Sequence, residues 1–365
     1  MRIALLTSAK GWRGSGASYA KLAQGLAGRR HVVQLVTTAP RLTDRFRAEN
    51  LPVTQIPGRD TGPREVWALL RVLQSLSAEA VVVDTPRDLR LAGWATLIQP
   101  ARVVYRYNLN YRRPRNHLAD RMYGRRASAC MFQSHFIQEE ALRREPWIAR
   151  VPHYRVANGY DTNRFAPNPS AGEVFRRTWQ IPGAARLVLT SAKLERDKGH
   201  EVAIAALHQL RSEGSEIVYV MCGDGARDRE LRSLASSYDL PVRFTGLLDS
   251  DTLIAALSAA DLVLHPSLHE IFPNAVGEAM SCGRAVLAAD AGGTGELLGR
   301  DGTTGVLVPA NDPDKMASAA RELLNDPARR NRLGAAARRR IEAEFSLNQM
   351  IDGYEAALRQ VIGQR

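Results

Sequence analysis

The chain has 365 residues, 45% of them hydrophobic and 24% charged, with a net charge of +12. That is enough apolar material for two domains, and it excludes a disordered or collagen-like chain. The three cysteines, Cys130, Cys222 and Cys282, form no CxxC pair, so neither a disulfide framework nor a zinc site is expected. No stretch approaches the roughly 18 apolar residues of a membrane helix, and the apolar run 1–6 is too short for a signal peptide, so the expected location is the cytoplasm.

Charge is uneven. Residues 1–165 carry 27 Lys+Arg against 12 Asp+Glu, and the remainder carries 23 against 26. An anionic partner for the first half is implied: a membrane surface, nucleic acid or an acidic substrate.

In chain order, strands are predicted at 2–7, 32–37, 80–84, 102–107 and 129–133. A second series follows at 186–191, 217–222, 242–245, 262–265 and 285–289. Helical patterns lie between them, among others at 19–28, 65–76, 201–213 and 249–258. Strand–helix–strand alternation predicts an α/β protein with parallel sheets covered by helices on both faces. The segment Phe165-Ala166-Pro167-Asn168-Pro169 reads as a linker, dividing residues 1–167 from 168–345. Residues 345–362 form an amphipathic pattern with Ile351, Tyr354, Leu358 and Ile362 near one face.

Three motifs bear on chemistry. The run Gly11-Trp12-Arg13-Gly14-Ser15-Gly16 follows the first strand and precedes a helix, where glycines let a ligand approach the backbone. A dinucleotide fingerprint needs a third glycine and an acid closing the second strand. Here Ala17-Ser18-Tyr19 follows, and Thr37 and Thr38 stand at the strand end, so NAD is not expected. Gly14, Ser15 and Gly16 form either a tight turn or an acceptor-facing loop. The second motif, Lys193-Leu194-Glu195-Arg196-Asp197-Lys198-Gly199, follows a strand. Its two lysines either hold one anion at the sheet edge or belong to a solvated loop.

The third motif is His269-Glu270-Ile271-Phe272-Pro273-Asn274-Ala275-Val276-Gly277-Glu278-Ala279-Met280, in which a strand runs through a loop into a helix. Pro273 suits the first helical turn, and the N–H groups of Asn274, Ala275 and Val276 would face a phosphate or sugar there. Glu278 lies on a mostly apolar helix. It is either a solvated surface charge or a carboxylate with a ligand as partner.

At these residues the chain resembles the retaining glycosyltransferases of the GT-B fold, glycosyltransferase family 4. Glu270 to Glu278 matches that family's E-x7-E motif, and Lys193 to Lys198 its R/K-x4-K motif. Asn158-Gly159-Tyr160-Asp161 with Phe165, Gly223-Asp224-Gly225, Phe244-Thr245-Gly246, Glu278-Ala279-Met280-Ser281-Cys282-Gly283 and Gly305-Val306-Leu307-Val308 also fit, and the match runs over about 155–345. The resemblance implies two Rossmann-like domains facing each other across a cleft. It places the acceptor on the N-terminal side and a nucleotide-sugar donor on the C-terminal side, with residues 346–365 packing back on the first domain. It gives Lys193 and Lys198 to the diphosphate, Glu270 to the transferred sugar and Glu278 to the ribose. The turn around Phe244 and Gly246, with Gly223, lies beside the nucleotide. The chain departs from the family in having Lys193 for the usual Arg and Ile271 for a frequent Gly. It reads Tyr105-Arg106-Tyr107-Asn108 where many members carry a His. Arg106 and Asn108 are therefore the acceptor-side candidates.

No cofactor and no metal are expected. Two lysines and helix amides can stabilise a leaving diphosphate, and Asp249-Ser250-Asp251 reads as a helix N-cap. The implied reaction is sugar transfer with retention, in cell-envelope polysaccharide, lipopolysaccharide or glycolipid synthesis. The expected acceptor is a saccharide or lipid-linked sugar. A sugar-nucleotide epimerase, a phosphorylase or another GT-B enzyme is the alternative. Residues 102–126 hold eight arginines against one acid, interleaved with tyrosines. This stripe is a solvated surface, an acceptor or membrane surface, or a single-strand nucleic-acid surface. No nucleic-acid module accompanies it, so nucleic acid is not the expected partner.

Overall fold

The computed structural model describes residues 1–9, 12, 16–58, 61–108 and 125–363. Two compact units emerge, Met1–Gly159 together with Leu347–Arg365, and Tyr160–Ser346.

The first unit runs β1 (Arg2–Thr7), α1 (Ala17–Gly28), β2 (Val32–Thr37), α2 (Pro40–Ala48), β3 (Val53–Gln55), α3 (Pro63–Leu76), β4 (Ala80–Val83), α4 (Pro86–Ala95), β5 (Arg102–Arg106), β6 (Ala129–Phe132), α5 (His135–Arg144) and β7 (His153–Arg155). Its strands pair in parallel in the order β3-β2-β1-β4-β5-β6-β7. The central strand β4, Ala-Val-Val-Val, is buried at every position, as a sheet covered on both faces requires. Proline opens α2, α3 and α4, where its missing N–H leaves no bond unmade.

The second unit runs α6 (Pro169–Thr178), β8 (Arg186–Ser191), α7 (His200–Ser212), β9 (Ile217–Cys222), α8 (Asp228–Ser237), β10 (Val242–Gly246), α9 (Ser250–Ala259), β11 (Leu262–His265), α10 (Asn274–Ser281), β12 (Val286–Ala289), α11 (Thr294–Leu298), β13 (Val306–Val308), α12 (Pro313–Asn325) and α13 (Pro327–Glu344). Its six strands are also parallel, in the order β10-β9-β8-β11-β12-β13. Asp249 caps α9, accepting from the Thr252 amide at 2.8 Å.

The last helix, α14 (Leu347–Gly363), packs on the first unit. Ile351 fills the space above Gly25, where an added Cβ would stand 2.4 Å from it. Arg29 pairs with Asp352 at 2.5 Å and with Glu355 at 3.0 Å.

Three strands lie outside the predicted set: β3, β7 and β13. Each has three residues and lies at the edge of its sheet, too short for a hydrophobic period. The strands predicted at 80–84, 102–107 and 129–133 each stop one residue early. The boundary drawn at 167/168 moves upstream to Gly159/Tyr160. The proline-rich stretch is a helix start: Asn168 caps α6 by accepting from the Ala171 amide at 3.1 Å, and Pro169 opens it. Tyr160 belongs to the second unit because its amide donates to the Phe345 carbonyl at 2.9 Å and its ring lies against Gly277.

Candidate active site

In the second unit the strand order reverses between β8 and β11, and ligands of open α/β sheets bind at the carboxyl ends of such strands. The loop after β8 carries Lys193 and then a tight 3-10 turn, Arg196–Lys198. Gly199 closes that turn at φ 61°, and a Cβ there would meet the Pro266 carbonyl at 2.2 Å, so only glycine fits. The loop after β11 is laced to the same turn. The Leu268 amide and the Ser267 hydroxyl both donate to the Asp197 carbonyl, at 2.8 and 3.1 Å.

This lacing brings Lys198 to Glu270. The ammonium donates to Glu270 Oε1 at 2.9 Å, and His265 Nε2 stands 3.2 Å from the same oxygen. Asp197 lies 3.3 Å from the ammonium on its other side. Burial alone would raise the Glu270 carboxyl, but its contact with His265 and then the Lys198 ammonium outweigh it and hold the group at about 2. Burial would lower Lys198, and Glu270 with Asp197 keeps it above its ordinary value. The pair is thus ionised and largely buried, with side-chain exposures of 18% and 13%. Glu270 also receives the Gly293 amide on its backbone carbonyl, at 3.2 Å.

Just beyond Glu270, α10 begins at Asn274, with Ala275 and Val276 completing its first turn. Pro273 takes the cap position, one residue before the helix, and its own side chain makes no capping hydrogen bond. Val276 is buried, Ala275 half-buried and Asn274 exposed. Glu278 lies one turn further on, half-buried. Tyr160 packs beneath this helix; burial pushes its hydroxyl up, and Glu278 and Glu270 push it further. Lys193 is half exposed and pairs with Glu195 at 3.3 Å, apart from the buried pair.

Gly223 and Gly246 shape the neighbouring turns. A Cβ on Gly223 would lie 1.9 Å from the Ala192 carbonyl, so glycine lets the Lys193 loop close against β9. The Gly223 amide donates to the Gly246 carbonyl at 2.8 Å, and Gly246 takes φ 67°. Phe244 packs on the core of the unit, with the Arg232 guanidinium 4.3 Å from its ring centroid.

In the first unit the order reverses between β1 and β4. Asp84 ends β4's run and Asp88 opens α4; both are buried. Asp88 Oδ2 accepts from the Ser8 amide and hydroxyl at 2.9 and 3.0 Å. Burial and then Asp84 push the Asp88 carboxyl up to about 7. Arg106 is also buried, 7% exposed. It bonds to Asn158 Oδ1 at 3.1 Å and stacks 5.9 Å from the Tyr19 ring, so it is withdrawn from the expected basic surface. Asn108 is half-buried, and Gly16 is buried at the start of α1. Gly14 and Ser15, with Arg112, Arg113 and Arg115 of the arginine stripe, lie outside the described residues.

Residues 173–340 match the family Glycosyl transferases group 1. The matched segment covers the whole cluster of Lys193, Lys198, His265, Glu270 and Glu278. The chain is 30% identical over 199 residues to a GDP-mannose-dependent monoacylated alpha-(1-6)-phosphatidylinositol monomannoside mannosyltransferase of Corynebacterium glutamicum, covering 52% of each. It spans about half the length of the curated relatives it matches. In fold it is similar to a glycosyltransferase from Rickettsia africae ESF-5, with TM-score 0.88 at 17% identity over 100% of this chain and 99% of that one. It is also similar to Anabaena Alr3699/HepE, crystallised with UDP, with TM-score 0.87 at 20% identity over 99% and 100%. The architecture is therefore GT-B: two parallel-sheet Rossmann-like units.

Two residues of the second unit are missed by sequence reasoning. His265 ends a buried strand and reads as core, although its place one step before the loop to Glu270 is the available signal. Tyr160 sits inside a matched motif, but its partner Gly277 is more than a hundred residues away.

Proposed function

We propose that the chain is a retaining glycosyltransferase that moves a sugar from a nucleotide-diphosphate donor, held by the second unit, to an acceptor held by the first. The observation that carries this reading is the largely buried Lys198–Glu270 pair just ahead of the N-terminus of α10. Breaking a glycosyl–phosphate bond puts negative charge on the leaving diphosphate, and a preorganised ammonium and helix N–H groups meet that charge. In this reading Lys198 and Lys193 hold the diphosphate. Glu270, already ionised, accepts from sugar hydroxyls, and Glu278 accepts from the ribose. Phe244, Gly246 and Gly223 border the nucleotide. Gly14, Ser15, Gly16, Arg106 and Asn108 lie toward the acceptor. The family match over the second unit supports the donor side, as do the UDP named in a structural neighbour's title and the GDP-mannose named for a relative.

The same reading gives a saccharide or lipid-linked acceptor, a cell-envelope role, and work in the cytoplasm at the inner face of the membrane. The relative's name, which specifies a phosphatidylinositol monomannoside, supports the lipid-linked choice. Among the described residues no helix is long and apolar enough to cross a membrane. The test is a donor screen across UDP-, GDP- and ADP-sugars with wild type and Lys198→Ala. One donor class should be turned over by wild type, and the variant should lose that activity. No turnover with any donor, or equal turnover in the variant, sinks the assignment. Turnover should also persist in excess EDTA. Loss on chelation with recovery on Mg²⁺ or Mn²⁺ would replace the lysines as the main stabilisers of the leaving group.

A further inference from the structure

We propose that the exposed side of α3 and α4 in the first unit docks the chain on an anionic lipid surface. Of the seven exposed large hydrophobic residues among those described, four lie here: Trp67 at 59%, Trp94 at 43%, Leu97 at 56% and Ile98 at 64%. The crossovers from β3 to β4 and from β4 to β5 run the same way along the sheet, so α3 and α4 cover one face. The two helices pack on each other.

Each exposed indole carries a guanidinium. Arg71 stands 4.9 Å from the Trp67 ring centroid and Arg126 stands 5.1 Å from that of Trp94. The Arg126 stem is fixed by contact with Gly93, where an added Cβ would lie 2.9 Å from it. Carboxylates are withdrawn from this side. Residues 63–76 and 86–100 contain only Glu65 and Asp88, both buried, against the exposed Arg64 and Arg71; Arg87 is turned inward to Asp88, 3.7 Å away.

Indole and aliphatic side chains partition to the boundary between headgroups and acyl chains, while arginines reach the lipid phosphates. A surface with apolar anchors, cations and no exposed acid is complementary to that layer. The observation is independent of the arginines at 112–115. Docking rests on the transfer reading for its purpose only, because it is measured without donor or acceptor.

The experiment is flotation of the full chain with vesicles of phosphatidylcholine alone or enriched in phosphatidylglycerol, at low and high salt. Vesicles with brominated acyl chains report tryptophan insertion. Binding is expected on anionic vesicles and weakened by salt. Leu97→Ser with Ile98→Ser, both exposed positions, should weaken it about tenfold. Bromine quenching should be lost in Trp67→Phe with Trp94→Phe. No binding at low salt, equal binding to neutral vesicles, or binding unchanged in the serine variant overturns the proposal. A chain that binds vesicles but transfers no sugar overturns the transfer reading alone.

Discussion

Both sheets carry a charged cluster at the carboxyl ends of the two strands where strand order reverses, β1 and β4 in the first unit, β8 and β11 in the second. The clusters differ in burial, Asp84 and Asp88 being fully buried and Lys198 and Glu270 only largely so, and they are chemically opposite. In the second, one oxygen of Glu270 is shared by an ammonium and an imidazole, and the carboxyl stays at about 2. In the first, Asp88 has Ser8 donors on one oxygen and Arg87 3.7 Å from the other, yet burial and then Asp84 raise it to about 7. Burial pushes both carboxyls in the same direction, so the partner decides the charge state. The same scaffold position therefore holds a fixed ion pair in one unit and a titrating acid in the other.

The largest expected effect tests the ion pair. Lys198→Ala should lower kcat/KM by roughly 10- to 150-fold, the worth of a charged hydrogen bond, with more lost if that bond strengthens in the transition state. Thermal melts separate this loss from the instability of leaving Glu270 with His265 alone, and Lys198→Met with Glu270→Gln removes both charges. Unchanged kcat/KM in the single variant would reduce the pair to architecture.

The next test sets the two acids against each other across pH. The Glu270 carboxyl is depressed below its ordinary 4.5, so its stabilisation is present above that value and fades as pH falls toward about 2. The Asp88 carboxyl is raised from 3.8 to about 7, so the folded state holds the extra proton and stability falls as pH rises through that window. The slope is up to about 1.4 kcal/mol per pH unit. Asp88→Asn, which can still accept from Ser8, should therefore be more stable than wild type at pH 8 and similar to it at pH 4. Glu270→Gln should be less stable than wild type at pH 7. Urea melts of both variants decide the matter, and slopes of the same sign would erase the contrast.

A smaller effect sharpens the role of the imidazole. His265→Gln retains a donor for Glu270 Oε1, and His265→Phe does not. The Phe variant should lose about three- to tenfold in kcat/KM, a neutral hydrogen bond's worth, with Gln recovering most of it. Equal loss in both would make His265 a space-filler. The smallest effect is at Asp249, which caps α9. Asp249→Ala should melt slightly earlier and turn over as wild type does, whereas a large loss of activity would reopen Asp249-Ser250-Asp251 as chemistry.

Legibility differs between the units for physical reasons. In the second unit, mostly buried strands and motifs on nearly consecutive residues made the sheet legible and pointed to Lys198 and Glu270, which the structure joins, while Lys193 stands apart with Glu195. What stayed hidden depends on long-range contact: His265 reads as strand core until β11 is placed beside β8, and Gly277 reads as a weak helix residue until Tyr160 is set against it. In the first unit, Asp84 and Asp88 look like ordinary strand-end and helix-start acids, because Thr7 and Ser8, which meet Asp84 and Asp88 respectively, lie some eighty residues earlier. Arg106 was read as surface charge from its basic neighbours, and only the packing of Tyr19 and Asn158 takes it inside.

Gly277 and Tyr160 work as a lock with one admissible order of opening. A methyl group at 277 would stand 2.1 Å from the tyrosine ring, while the tyrosine hydroxyl reaches the Pro273 carbonyl at 3.4 Å just ahead of the same helix. Any larger residue at 277 must therefore wait until position 160 has shrunk, and shrinking 160 alone leaves a void under the helix that follows Glu270. Drift at either position is historically contingent on the other. Grafting this helix onto a relative, or that relative's helix onto this chain, should succeed only when residue 160 travels with it.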